Sequence, residues 1–452
     1  MSTLLIKDAD YIVTMDPEQP LLERASLFIR NGRIEAIGQG LWPEADEVVD
    51  ARGMIVYPGL INTHHHLYQV LTRNLPSVER MELFPWLKTL YRIWRQINGE
   101  LVYYAALVGL GELIRYGCTT SADHHYVFPP GQTDLIDRTI EAASRLGIRF
   151  VATRGSMSLG ESQGGLPPDD LTQSPEEILR DSQRLIETYH DPSPLAMIQV
   201  ALAPCSPFSV TADLLQESAA LARSSGVRLH THLAETRDEE VFCLETFGKR
   251  PLDYLEELGW LGPDVWFAHG IYFNDAELKR LAETGTGIAH CPVSNMKLSS
   301  GVARIPEMLQ VGVPVGLAVD GSASNDASNL LAEIRTGYLL HRLQSSADAP
   351  KPADFLAMAT RGSARLLGRS DLGVLAVGKA GDLFMLRADR LELAGTLADP
   401  AALPATVGIN RPVDLTVVHG RIIYQDGVFP GLEEGDLARM VEKMAHQLHE
   451  WR

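Results

Sequence analysis

Two rhythms of apolar and polar residues divide the chain. From residue 1 to 57 the apolar positions alternate or come in short runs, at 4–6, 11–15, 26–29 and 33–37, with Asn31-Gly32 between the last two. A period of two predicts strands, and an Asn-Gly pair between such runs predicts a tight hairpin. The same style returns at 382–386, 413–418 and 421–424, with His419-Gly420 as the turn. Neither set makes a stable sheet alone. Residues 1–57 and 371–430 are therefore expected to join into one composite β-sandwich domain. Everything between is inserted as a second domain, and 431–452 follows as a C-terminal helix.

From 58 to 370 apolar strand candidates end in polar residues and alternate with amphipathic stretches. The strands are LINTHHH, TTSADHHY, RFVATRG, IQVALAPCS, VRLHTHLAE, VWFAHG, GIAHCPVSN and VGLAVDGSASND. Helical periodicity falls at 141–146, 175–189, 212–224 and 275–283. Ser174-Pro175-Glu176-Glu177 supplies a cap, a first-position proline and first-turn acids. Eight strand-then-helix units predict a distorted (β/α)8 TIM barrel, in which the polar strand ends gather at one face. Residues 72–99, with Phe84, Trp86, Tyr91 and Trp94, are too many for a plain loop and predict a helical lid beside that face.

Composition narrows the partners. The 452 residues are 45% apolar and 22% charged, as in an ordinary soluble protein, and the formal net charge of -18 argues against nucleic acid or an anionic membrane. The four cysteines (Cys118, Cys205, Cys243, Cys291) form no C-x-x-C pair. Neither a disulfide framework nor a thiolate zinc site is indicated, and a reduced, cytoplasmic location fits. Lys7, Asp8 and Asp10 interrupt the stretch where a signal peptide needs an apolar run. No apolar run approaches the roughly 20 residues that span a bilayer.

The strand ends carry the chemistry. On a strand His64 and His66 share a face and His65 points away, so two imidazoles at a buried strand end are half of a metal site. His232 follows His230 at the same spacing, with Glu235 three residues beyond; His269 closes VWFAH and Asp320 closes GLAVD. A polar group closing an apolar run is costly unless it meets a partner or a metal. One such histidine reads as a hydrogen-bonded core residue; four strands presenting N or O ligands are hard to explain as packing.

The ordered set NTHHH, HTHLAET, AHG, HCPVSN and VDGSASND resembles the amidohydrolase superfamily, in its mononuclear metal-dependent deaminase branch, over essentially the whole chain. The resemblance implies one divalent ion per chain, zinc or alternatively iron, held by His64, His66, His232 and Asp320. It places Glu235, His269 and Asp320 at catalytic positions. His65 and His230 are assigned to the opposite strand faces, as supporting or packing residues. Three imidazoles and a carboxylate leave a position open for water, whose pKa a zinc ion lowers to roughly 7. Hydrolytic deamination of an aminated heterocycle follows, with Glu235 as proton shuttle. Binuclear members carry a bridging lysine at the end of strand four, which LAMIQVALAPCSP lacks. The H-x-E and P-C-x-x-C deaminase pattern is absent too. A silent scaffold on this fold is expected to have lost ligands, and here all are present.

For the substrate, Gln69 matches a purine-binding glutamine of guanine deaminases. The strings HHHLYQ, ADHHYVFPPG and PWLKTLYRIW resemble 8-oxoguanine deaminases, which implies conversion of 8-oxoguanine to urate and ammonia. The alternatives are an s-triazine, isoxanthopterin or guanine aminohydrolase. Deaminases of adenosylhomocysteine or methylthioadenosine usually carry P-H-S-P after strand four and a methionine where Gln69 stands; this chain has Cys205 in Pro204-Cys205-Ser206-Pro207. Trp86, His125, Tyr126, Arg154 and Cys205 join Gln69 as substrate-binding candidates, Arg154 reading equally well as an internal salt-bridge partner. The resemblance also implies a homo-oligomer. GVLAVGKA at 373–380 lacks the Ser or Thr of a phosphate loop, and Cys291 lacks a dedicated base.

Overall fold

A computed structural model describes residues 2–450. Each of the eight expected inner strands is present: β1 (Leu60–Asn62), β2 (Cys118–His125), β3 (Arg149–Ser156), β4 (Ile198–Pro204), β5 (Arg228–Leu233), β6 (Val265–His269), β7 (Gly287–His290) and β8 (Val315–Leu317). They pair in parallel in sequence order, β1 to β8. Between β8 and β1 the closure runs through individual bonds. Thr63 Oγ1 donates to Leu317 O (3.1 Å), Val319 N to Asn62 Oδ1 (3.0 Å) and Asp320 N to His64 O (3.1 Å). This seam is the barrel's distortion, and it carries two of the expected site residues.

The interior holds a contiguous apolar cluster with Ile61, Ala122, Val151, Ala201, Trp266 and Ala289 from β1, β2, β3, β4, β6 and β7. On β2 the side chain two residues beyond Ala122, His124, faces the mouth of the same interior, stacked on His232. The helices Pro175–Tyr189, Ala212–Ser225 and Asp275–Thr284 lie where the periodicity places them, and 141–146 is the second half of Leu135–Leu146. Ser174 and Glu177 form the reciprocal cap that their spacing predicts.

The second sheet draws on both chain ends. Met54–Pro58 pairs antiparallel with Leu383–Arg387 on one side and parallel with Tyr11 and Ile12 on the other. From Pro58 the chain passes into β1 through Gly59 alone. A Cβ there would lie 2.0 Å from Thr119 Oγ1, so only glycine fits the junction. Beyond β1 a short helical turn, Leu67–Thr72, leads to the lid helix Leu83–Trp94, which buries Trp86, Leu87, Leu90, Tyr91 and Trp94. The C-terminal helix Glu434–Glu450 is tied to that turn, His449 Nε2 donating to Leu71 O at 2.8 Å. Among the described residues no helix is long and apolar enough to cross a membrane.

Candidate metal centre and active site

Backbone carbonyls set the protonation of the histidines. His66 Nδ1 lies 2.6 Å from His124 O, and His232 Nδ1 lies 2.7 Å from Cys205 O. A carbonyl only accepts, so each Nδ1 carries a hydrogen, which in a neutral ring leaves Nε2 as a bare lone pair. For His64 the control is one step removed. His230 Nδ1 donates to Trp266 O (2.9 Å), so His230 Nε2 accepts from His64 Nδ1 (2.7 Å). His64 Nε2 is then a third bare lone pair, buried and without a hydrogen-bond partner.

These lone pairs converge. His66 Nε2 and His232 Nε2 are 3.2 Å apart, and Asp320 Oδ1 is 3.1 Å from His64 Nε2 and 3.2 Å from His66 Nε2. Burial pushes the pKa of His64 and His232 well below the usual value, which keeps both neutral. Electron-rich atoms so close repel unless a cation sits among them. Three imidazoles and a carboxylate suit a divalent ion that leaves a coordination position open. The donor set fits the expected metal.

Glu235 and His269 stand beside it. His269 Nδ1 donates to Asn295 Oδ1 (2.8 Å), which turns Nε2 toward Glu235 Oε2 (3.5 Å) and Asp320 Oδ2 (4.0 Å). Burial raises the Glu235 pKa. Burial also works against a charged His269, but the charges of Glu235 and Asp320 and the bond to Asn295 more than offset it, and the pKa rises. Asp320 Oδ2 accepts from Ser294 Oγ and from Ser324 Oγ (3.1 Å). Three residues here adopt left-handed backbone: Ala234 (φ 54°), His269 (φ 71°) and Asp320 (φ 63°). Such conformations cost non-glycine residues free energy and concentrate at functional sites.

Gln69, Trp86, Tyr126 and Cys205 line one small pocket with His66, His232, Glu235, His269 and Asp320. The pocket encloses about 30 Å³, room for a water or two, and Leu83, Trp86 and Leu87 of the lid form part of its wall. Gln69 Oε1 accepts from Ala323 N (3.3 Å). His125 and Arg154 are not brought to the pocket. Parity turns both away from the barrel axis. His125 donates to Val127 O (2.9 Å), while Arg154 pairs with Asp181 (2.6 Å) and stacks over Phe128. The inward neighbour of His125 is His124, stacked on His232 at 4.7 Å; counting by twos from Ala122 would have found it. His230 also departs from expectation. It lies on the same face as His232, one layer deeper, stacked on Trp266 and bonded to His64. Two-residue spacing puts both on one face, so the opposite-face assignment of His230 is corrected.

The chain matches the Amidohydrolase family over residues 55–423. It is 50% identical over 420 residues to an 8-oxoguanine deaminase of Pseudomonas aeruginosa, covering 92% of each chain. It is 42% identical to a hydroxydechloroatrazine ethylaminohydrolase of Pseudomonas sp. strain ADP, covering 98% of this chain and 95% of that one. Among solved structures it superposes on the atrazine chlorohydrolase TrzN of Arthrobacter aurescens TC1 complexed with zinc, with a TM-score of 0.94 and 34% identity over 98% of this chain and 100% of that one. A parallel barrel with convergent imidazoles at its mouth and whole-chain likeness to these hydrolases lead to one conclusion: the chain belongs to the amidohydrolase family.

Proposed function

We propose that this enzyme hydrolytically deaminates a free purine-like base, 8-oxoguanine, to urate and ammonia. The observation that carries the chemistry is the set of bare imidazole nitrogens facing Asp320, with Glu235 and His269 beside them. The substrate rests on the 50% identical relative and on Gln69 in the pocket wall.

His64, His66, His232 and Asp320 would hold a divalent ion, zinc as in the TrzN structure, which would supply the Lewis acidity that makes water nucleophilic near neutral pH. Asp320 Oδ2, steadied by Ser294 and Ser324, takes a proton from the attacking water. His269, its tautomer fixed by Asn295, orients that water. Glu235, its pKa raised by burial, carries a proton to a ring nitrogen and onward to the departing amine. Water's oxygen stays on the ring carbon, one of its hydrogens completes the ammonia released, and the other remains on the ring. Trp86, Tyr126 and Phe208 wall the flat ring, and Gln69 reads its edge.

Ammonia release from 8-oxoguanine, guanine, isoxanthopterin, hydroxylated s-triazines and adenosylhomocysteine tests the reading. The expected ranking puts 8-oxoguanine first; absence of its turnover removes the substrate assignment. The second reading, an s-triazine aminohydrolase, rests on the 42% identical relative and predicts that a triazine leads the same panel.

A further inference from the structure

Thr236-Arg237-Asp238-Glu239 opens the helix Arg237–Phe247 with the spacing of a reciprocal cap, in which the acid at the third position returns a bond to the amide of the capping residue. Half of that cap forms: Thr236 Oγ1 accepts from Glu239 N (3.2 Å). The other half is diverted. Glu239 Oε1 accepts from Ala234 N and Oε2 from Glu235 N, both at 2.8 Å. In the reciprocal cap at Ser174, by contrast, Glu177 serves its own capping residue and is exposed, whereas Glu239 is 0% exposed. Burying a carboxylate only to cap a helix is a poor exchange, since an exposed one does the same task.

What the diverted carboxylate touches explains its place. Ala234 is in the left-handed region (φ 54°), and its carbonyl accepts from Ile271 N (2.8 Å) and Tyr272 N (2.9 Å), just past His269. Its peptide groups are thus held from both sides, by Glu239 on the amides and by the segment after β6 on the carbonyl. Without the brace, an alanine in this conformation relaxes toward the right-handed or extended regions and swings the next residue, Glu235.

We propose that Glu239 is a positioning residue for the reaction: its carboxylate holds the Ala234–Glu235 turn in the one conformation that aims Glu235 at the reacting ring. This rests on Glu235 as the proton carrier. In E239Q the side-chain oxygen keeps one amide while its NH2 opposes the other. Turnover is expected to fall about 100-fold, the scale of an ångström-sized misplacement, with KM within about threefold and metal content unchanged. Adding A234G to E239Q is expected to return roughly tenfold of kcat, because glycine adopts the left-handed turn without help. In the unmutated holoenzyme, the amides of Ala234 and Glu235 are expected to exchange hydrogen only as slowly as the barrel core. That measurement keeps the proposal testable if E239Q does not fold. Wild-type kcat in E239Q overturns the proposal. So does a joint loss of metal, thermal stability and kcat that A234G does not relieve, or fast exchange of the two amides. E235Q separates the two readings. Wild-type turnover in E235Q removes the proton-carrier assignment and this proposal with it. Lost turnover in E235Q with none lost in E239Q removes this proposal alone.

Discussion

The two ends of the barrel bury charge in opposite ways. At the end facing the second sheet, Arg149 at the start of β3 is wholly buried, and its donors are spent inside the protein. Nε reaches Asp382 Oδ2 (2.6 Å), Nη2 reaches Asp382 Oδ1 (3.1 Å) and Nη1 reaches Leu195 O (2.5 Å). Asp382 in turn takes the amide of His419 (2.8 Å), so one ion pair ties the barrel to the strands of the C-terminal part. At the other end His64, His66 and His232 spend only one nitrogen each, and the remaining three lone pairs meet at Asp320. Saturation makes the first cluster a fastener. Convergent unsatisfied acceptors make the second a receptor for a cation. Burial and polarity alone do not distinguish the two; the count of unspent lone pairs does.

The sharpest way to break this contrast is to remove proton transfer without touching the ligands. Glu235→Gln is expected to lower turnover by about 10²–10⁴-fold while the protein keeps its metal, measured by steady-state ammonia release alongside elemental analysis. At the opposite end, Arg149→Met leaves Asp382 buried and unpaired. It is expected to cost about 3–5 kcal/mol in urea denaturation, with turnover per folded molecule retained. A smaller effect tests the relay behind the receptor. In His230→Phe the stack on Trp266 survives, but nothing accepts from His64 Nδ1, and metal affinity in a chelator competition is expected to fall about 10–100-fold.

The smallest effect comes from a buried acid behind the site. Glu333 accepts from Val293 N (3.1 Å) and Asn325 Nδ2 (2.6 Å), and burial pushes its pKa up to about 8. The folded state therefore keeps a proton that the unfolded chain has lost. This contribution to stability is full below the unfolded value near 4.5 and declines as pH rises through about 8. Glu333→Gln removes that decline. The variant is expected to gain on the parent between those pH values in parallel melting curves, and a constant difference would contradict the assignment.

The sequence made the barrel legible because buried strands end abruptly in polar residues, and a run such as VWFAH admits few other readings. That His64, His66, His232 and Asp320 follow such runs was legible for the same reason. What stayed hidden depends on geometry that a period of two does not encode. Choosing His124 over His125 required knowing the strand's phase, set by Ala122 packing inside the barrel. Arg154 sits at a strand end like a site residue, yet its side chain serves Asp181 and Gln173 outside the barrel. The left-handed turns at Ala234, His269 and Asp320 break the alternation at the points where function begins. For the same reason the role of Glu239 was hidden behind an ordinary capping spacing.

The most direct test of the central claim is metal stoichiometry measured together with turnover. Purified enzyme is expected to carry one divalent ion per chain, to lose turnover on chelation and to regain it when that ion is returned, while Asp320→Asn binds the ion weakly. Protein that is free of metal and still fully active would contradict the account.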